Sequence, residues 1–96
     1  MSLRASWKRT KAHLADARRE LPAHPLSGEE GGSDSGFQEF IDHNELELAL
    51  DELEGMATTN ATTTHFWVSL RAAAEEMQLD RHRDRYDKII DRMIDK

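Results

Sequence analysis

Three side chains that could bind a metal ion recur at one-turn spacing in this 96-residue chain. Glu39, His43 and Glu47 are four residues apart, so an unbroken helix would present two carboxylates and an imidazole on one face. Di-iron bundles instead use a Glu-x-x-His spacing on paired helices, and the sequence contains no such pair. Charged residues at this spacing are also typical of a solvated helix face. We therefore expect no metal site and no bound cofactor.

Catalytic motifs are absent from the sequence as well. With no cysteine, the chain can form no disulfide, no thiolate zinc site and no Cys nucleophile. The glycines at positions 28, 31, 32 and 36 match neither a GxGxxG motif nor a P-loop. Five histidines and 19 carboxylates make chance pairings so frequent that a search for catalytic triads does not discriminate. The interpretation is a non-enzymatic protein.

Charge is divided unevenly along the chain, whose formal net charge is -6. Residues 1–26 carry a net charge of +4. Residues 27–64 contain ten acidic residues and no Lys or Arg, and the charges of residues 65–96 sum to zero. A one-signed acidic block attracts cationic partners and repels nucleic acid. An alternative remains open, in which the basic N-terminal helix neutralises the acidic block inside one molecule.

The same charges bear on nucleic-acid and membrane binding. Six basic residues of the first helix surround Trp7, but the acidic block in so small a domain would oppose contact with phosphates. The apolar stripe of that helix is narrow and has one large aromatic residue, which does not favour a membrane surface. No apolar run approaches the length of a membrane-spanning helix, and no export signal is visible. We expect a cytoplasmic protein that binds neither nucleic acid nor membranes.

The chain divides into an N-terminal amphipathic helix (1–21), a flexible linker (22–36) and a helical bundle core (37–96). The first helix places six residues on one stripe without deep burial: Leu3, Trp7, Thr10, Leu14, Ala17 and Leu21. The linker contains both prolines and four of the five glycines. So long a connection leaves the first helix loosely attached, or free to pack on a second copy of the chain. A homodimer through this helix is therefore the alternative to a protein-binding monomer.

The next segment predicts two helices with a break between them. Ser35 followed by Gln38 has capping-box spacing, and Phe37, Phe40 and Ile41 supply an apolar face. The following apolar stripe is displaced by about two residues, so a straight helix cannot bury both sets: Leu46, Ala49, Leu50, Leu53 and Met56. We predict a kink or break at His43-Asn44, with Asn44 as the N-cap of the second helix.

Two further helices complete the predicted fold. Thr62 to Thr64 offer a cap for a helix over 65–79, and Asp80 caps a last helix that runs to the C-terminus. Their inward-facing residues recur at helical spacing: Phe66, Leu70, Ala73, Ala74 and Met77 in the first, Tyr86, Ile89, Ile90, Met93 and Ile94 in the second. No segment alternates with the period of a strand. The fold class is all-α, a small bundle of four or five short helices.

Two motifs lie between residues 37 and 79. FQEFIDHNELELALDELEGM begins at Phe37, and FWVSLRAAAEEMQL begins at Phe66 after a short polar spacer. Together they resemble small all-helical bacterial immunity proteins of polymorphic toxin systems, above all those that accompany Maf-type toxins. The most similar element is EFIDHNELELALDEL, in which a short aromatic helix meets a second helix at a His-Asn corner. The resemblance implies binding and inhibition of a cognate toxin in the cytoplasm.

The acidic block suggests how such a partner would be bound. A toxin that acts on nucleic acid has a basic site, and an acidic inhibitor gains fast association from charge complementarity. The candidate contacts are acidic residues predicted to face away from the apolar stripes: Glu39, Asp42, Glu45, Asp51, Glu52 and Glu54. Trp67 is a further candidate as an interface anchor if it is exposed, although burial in the core is the favoured interpretation.

Overall fold

The structure, a computed structural model that describes residues 3–94, contains five helices and no strand within that range. The helices are α1 (Leu3–Arg19), α2 (Asp34–Asp42), α3 (Leu46–Met56), α4 (Thr64–Glu76) and α5 (Asp80–Ile94). The predicted all-α bundle is confirmed. Among the helices described here, none has the length and apolar character needed to cross a bilayer.

Helix α4 lies at the centre of the bundle. It packs most extensively against α1 and α5 and more lightly against α3, while α2 packs against α3. The core is formed by side chains that have no solvent exposure: Leu14, Ala17, Ala49, Leu50, Leu53, Met56, Phe66, Leu70, Ala73, Ala74 and Tyr86. All five predicted inward residues of α3 are buried, because its apolar spacing matches one helical face.

Helix α1 is buried more deeply on one side than the sequence predicted. Leu14 and Ala17 have no exposed surface, and Thr10 has 1%. The Thr10 hydroxyl donates a hydrogen bond to the Ser6 carbonyl oxygen at 3.0 Å, so this polar residue is satisfied inside the apolar stripe. The expectation of shallow packing was wrong. The first two residues of the predicted helix and the side chain of Leu3 lie outside the described residues.

Helix α2 begins earlier than predicted, so the last three residues of the predicted linker belong to it. Its N-cap is Ser33, which has an extended backbone and whose Oγ accepts a hydrogen bond from the Gly36 N–H at 3.0 Å. Ser35, the predicted cap, lies inside the first turn. A serine caps a helix only from the non-helical residue before it, and Ser33 holds that position.

The break between α2 and α3 is confirmed, but Asn44 terminates the first helix instead of capping the second. Asn44 has a left-handed backbone with φ of 57°. Its N–H donates to the Ile41 carbonyl at 3.1 Å, and the Glu45 N–H donates to the Phe40 carbonyl at 2.9 Å. These are the two bonds of a Schellman motif, in which asparagine tolerates the left-handed position. The N-cap of α3 is Glu45, which makes no side-chain cap.

The start of α4 follows the predicted signal, but α4 ends at Glu76, three residues before the predicted end, and Asp80 lies inside the first turn of α5 instead of capping it. Thr63 caps α4 by accepting a hydrogen bond from the Phe66 N–H at 3.1 Å, and α5 begins at Asp80. Gln78, with φ of 60°, repeats the Schellman geometry between the two helices. Ile94 is 68% exposed, so its predicted inward placement was wrong. The predicted continuation of α5 beyond Ile94 lies outside the described residues.

Candidate protein-binding surface

Three of the predicted contact residues form what we call the acidic corner: Glu39, Asp42 and Glu45, where α2 ends. All three are exposed, and none forms a salt bridge to Lys or Arg within residues 3–94. The Schellman turn at Asn44 ends α2 at this point and fixes the direction in which the chain continues. The corner therefore presents three carboxylates on an ordered helix end.

His43 lies in the middle of the acidic corner. Its Nδ1 is 2.8 Å from the Glu39 carbonyl oxygen, to which it donates at the last turn of α2. This hydrogen bond, aided by the nearby charges of the corner carboxylates, raises the pKa of His43 above its usual value. The imidazolium is favoured at a helix C-terminus for the same electrostatic reason.

A second group of carboxylates lines a cleft of about 480 Å³ between the linker and α3. We call it the acidic cleft, and its acidic residues are Glu29, Glu30, Asp51 and Glu54. Glu29 and Glu30 are exposed, and neither was among the predicted contacts. The sequence did not predict Glu29 and Glu30 as contact residues, because nothing in the composition of the linker indicates that its turn folds back onto α3.

Hydrogen bonds hold the linker against the end of α3. The Leu26 N–H donates to Asn60 Oδ1 at 3.0 Å, and Asn60 Nδ2 donates to the Leu26 carbonyl at 2.7 Å. The Thr59 hydroxyl donates to the Ser27 carbonyl at 2.9 Å. Thr59 and Asn60, which follow the last turn of α3, therefore bind the linker. The predicted flexibility of the linker stays a prediction.

Close backbone contact between glycines shapes the same cleft. Gly32, with φ of 98°, lies so close to α3 that a Cβ there would be 2.8 Å from the Gly55 Cα. A Cβ on Gly55 would in turn overlap the Gly31 carbonyl oxygen. Only glycine allows the loop backbone to lie directly on the helix backbone.

Glu54 is partly buried and forms hydrogen bonds within the molecule. Its carboxylate accepts two hydrogen bonds from Arg85, both at 2.8 Å, and one from the Tyr86 hydroxyl at 2.8 Å. Burial alone would raise the pKa of Glu54, but these donors outweigh it and hold the pKa below its usual value. Burial raises the pKa of Tyr86, so its hydroxyl stays protonated and donates. Glu54 still lines the acidic cleft, and its role as a contact residue stays a prediction.

Asp51 faces α5, where it meets His82. The His82 Nε2 is 2.9 Å from Asp51 Oδ1, and Asp51 keeps 47% of its side chain exposed. Glu47 lies one turn earlier on α3, and one ligand atom from each of the three residues lies within 4.8 Å of the others. The break at the corner separates Glu47 from Glu39 and His43, as the sequence predicted. No local pattern in the sequence connects His82 with α3.

Glu52 and Trp67 lie in less accessible places. Glu52 is partly buried, with its carboxylate against the backbone of Gly36. Trp67 is only 8% exposed, and its Nε1 donates to the Thr62 hydroxyl at 3.0 Å. The ring packs edge-on against Phe66 with centroids 5.0 Å apart. Trp67 is therefore a core residue, as favoured, and the alternative of an exposed anchor was wrong.

The basic residues of α1 cover little of the acidic block. Arg18 pairs with Asp34 at 2.7 Å, and this hydrogen bond lowers the pKa of Asp34. Arg9 pairs with Glu76 on α4, outside the block. Arg19 pairs with Asp16 inside α1, and the remaining basic residues, Arg4, Lys8 and Lys11, line a groove with Trp7 and Asn44. Internal neutralisation by α1 is thus limited, among the described ion pairs, to the one at Asp34.

Comparison of the chain with protein-family models, with curated proteins and with solved structures found no match.

Proposed function

We propose that this chain is a non-enzymatic protein-binding module that neutralises a cognate protein toxin, as immunity proteins do, by covering a basic site on it. The single observation that carries the proposal is the acidic corner, because its three carboxylates are exposed and unpaired with Lys or Arg in the described part of the chain. The resemblance of residues 37–79 to immunity proteins supports the same function.

Charge complementarity explains how the corner would act. Carboxylates that are already neutralised inside a protein gain little from a cationic partner, whereas exposed ones attract it and orient it on approach. Glu29 and Glu30 of the acidic cleft extend the available negative surface. Two carboxylates are already paired within the molecule, Asp34 with Arg18 and Glu54 with Arg85. The binding surface is therefore the corner together with the cleft rim.

The homodimer through the first helix receives less support. The apolar stripe of α1 is covered by α4 of the same chain, with Leu14 and Ala17 fully buried. A dimer would have to use the basic outer face of the helix, and no observation favours that arrangement. Self-association stays a prediction that sedimentation of the full chain would test.

The test measures binding of this chain to the protein that the neighbouring gene encodes. That protein should be toxic to cells when it is expressed alone. In the full chain, the double variant Asp42→Lys with Glu45→Lys reverses two corner charges. We expect it to weaken binding at least about tenfold, mainly through slower association. Added salt should slow association of the wild-type chain and affect the variant less. Surface plasmon resonance measures both rates.

A matched control changes the net charge by the same amount elsewhere. Glu75→Lys with Asp91→Lys alters exposed residues of α4 and α5. This control should bind within about threefold of the wild type, since distant exposed charges are screened. Equal weakening by both double variants would overturn the role of the corner. Failure of the wild-type chain to bind or to protect cells from the toxic protein would overturn the immunity function.

A further inference from the structure

Two carboxylates and an imidazole converge where α3 faces the start of α5. Glu47 and Asp51 are one turn apart on α3, and His82 lies in the first turn of α5. The ligand atoms of the three side chains all lie within 4.8 Å of one another, with His82 Nε2 and Asp51 Oδ1 at 2.9 Å. The group thus combines a nitrogen donor with two oxygen donors from separate helices.

The imidazole of His82 is held in place by the packing of α5. Its side chain is only 17% exposed, whereas that of Asp51 is 47% exposed. The ring packs edge-on against the buried Tyr86, with centroids 6.2 Å apart. Tyr86 is itself fixed by its hydrogen bond to Glu54. Because packing fixes the orientation of the His82 nitrogen donor, this group differs from a set of solvated surface carboxylates.

An open cleft of about 450 Å³ lies over Glu47 and His82. Asp80 and Arg81 also line it, and Asp80 pairs with Arg83 at 3.5 Å, so the carboxylates of Glu47 and Asp51 supply the net negative charge. Arg85, from the next turn of α5, already pairs with Glu54 through two hydrogen bonds. The local field therefore favours a divalent cation, and the cleft leaves it accessible to water.

We propose that Glu47, Asp51 and His82 bind one Zn²⁺ ion. A nitrogen donor suits zinc and does not suit Mg²⁺ or Ca²⁺, which prefer oxygen ligands alone. Tetrahedral zinc at ordinary bond lengths needs ligand atoms about 3.3 Å apart. Rotation of the exposed Glu47 side chain brings its carboxylate to this distance from the other two ligand atoms, and water occupies the fourth position. Zinc at Nε2 replaces the contact between His82 and Asp51 Oδ1, and the neutral imidazole then carries its proton on Nδ1.

This inference does not depend on the proposed function, and its test needs no protein partner. Isothermal titration of the full chain with ZnCl₂ should give a saturable one-to-one isotherm, while MgCl₂ should give none. His82→Gln and Glu47→Gln, made separately, should each weaken zinc affinity at least about tenfold. Glu47 is exposed, so its variant keeps the test valid if the His82 variant folds poorly.

Matched controls come from the acidic corner, which carries the same residue types. His43→Gln and Glu39→Gln should leave zinc affinity within about twofold of the wild type, since both side chains lie on α2 or its C-cap. Three results would overturn the proposal: no zinc isotherm for the wild-type chain, equal affinity for wild type and His82→Gln, or loss of binding in His43→Gln. The last would place any zinc at the corner.

Discussion

At the scale of single residues, the structure separates carboxylates that look alike in the sequence. Glu54 and Glu45 are both acidic residues near α3, yet Glu54 accepts three hydrogen bonds and Glu45 is exposed. The donors to Glu54 come from α5, about thirty residues later in the chain. Local spacing predicted which residues avoid the apolar stripe, but it could not predict which of them another helix would cover.

Replacing Glu54 by Gln should destabilise the fold. The amide cannot accept the charge-assisted pair from Arg85, and it leaves the buried Tyr86 hydroxyl with a weaker acceptor. We expect a loss of about 1–3 kcal/mol in the free energy of unfolding at neutral pH. Urea unfolding followed by circular dichroism measures it. Glu45→Gln, the matched exposed control, should change stability by less than about 0.5 kcal/mol.

The pH dependence of that loss has a definite sign. The pKa of Glu54 is lower in the folded chain than its ordinary value of 4.5. Its contribution to stability is therefore complete above 4.5 and is lost as pH falls through the lower folded value. The difference between wild type and Glu54→Gln should shrink in acid. A difference that stayed constant down to the folded value would contradict the assigned role of the carboxylate.

At the scale of elements, periodicity located the helices better than it located their ends. The displaced apolar stripe placed the break at His43-Asn44, because one straight helix cannot bury both stripes. The roles of Asn44 and Ser35 were wrong, since one residue can start a helix or end one according to its backbone angles. Those angles depend on how α2 packs against α3, which the local sequence does not specify.

Gly55 provides a test of the contact between the linker and α3. Replacing Gly by Ala inside a helix ordinarily stabilises it by about 1 kcal/mol. Here the added Cβ would overlap the Gly31 carbonyl oxygen, so we expect Gly55→Ala to destabilise by about 1–3 kcal/mol. Thermal unfolding gives the sign directly. Gln38→Ala, an exposed change on α2, should stay within about 0.5 kcal/mol. A stabilised Gly55→Ala chain would mean that the linker does not lie on α3.

At the scale of the whole molecule, α1 is part of the bundle. The sequence made its attachment uncertain, because fifteen residues of linker do not determine where a helix packs. The structure places it against α4 of the same chain. Among the described ion pairs, only Arg18 joins a basic residue of α1 to the acidic block, and α5 supplies Arg85 and His82 to that block as well. Net charges of segments could not predict this pairing, since they contain no information about helix order in space.

The depth of that packing predicts the effect of truncating one side chain. Leu14→Ala removes a fully buried side chain between α1 and the rest of the core, and we expect a cost of about 2–5 kcal/mol. Leu26→Ala is the matched control, because Leu26 is 64% exposed, and it should cost less than about 0.5 kcal/mol. Urea unfolding compares the two. Similar small effects would show that α1 is attached only loosely.

The glycine contact beneath the acidic cleft has a consequence for binding. Because the turn that carries Glu29 and Glu30 already lies against a helix, its backbone needs no docking step before a partner arrives. A preorganised loop spares the entropy of ordering it during association. A substitution that weakens the contact between this turn and α3 should therefore lower the affinity for a partner, even though it changes no surface charge.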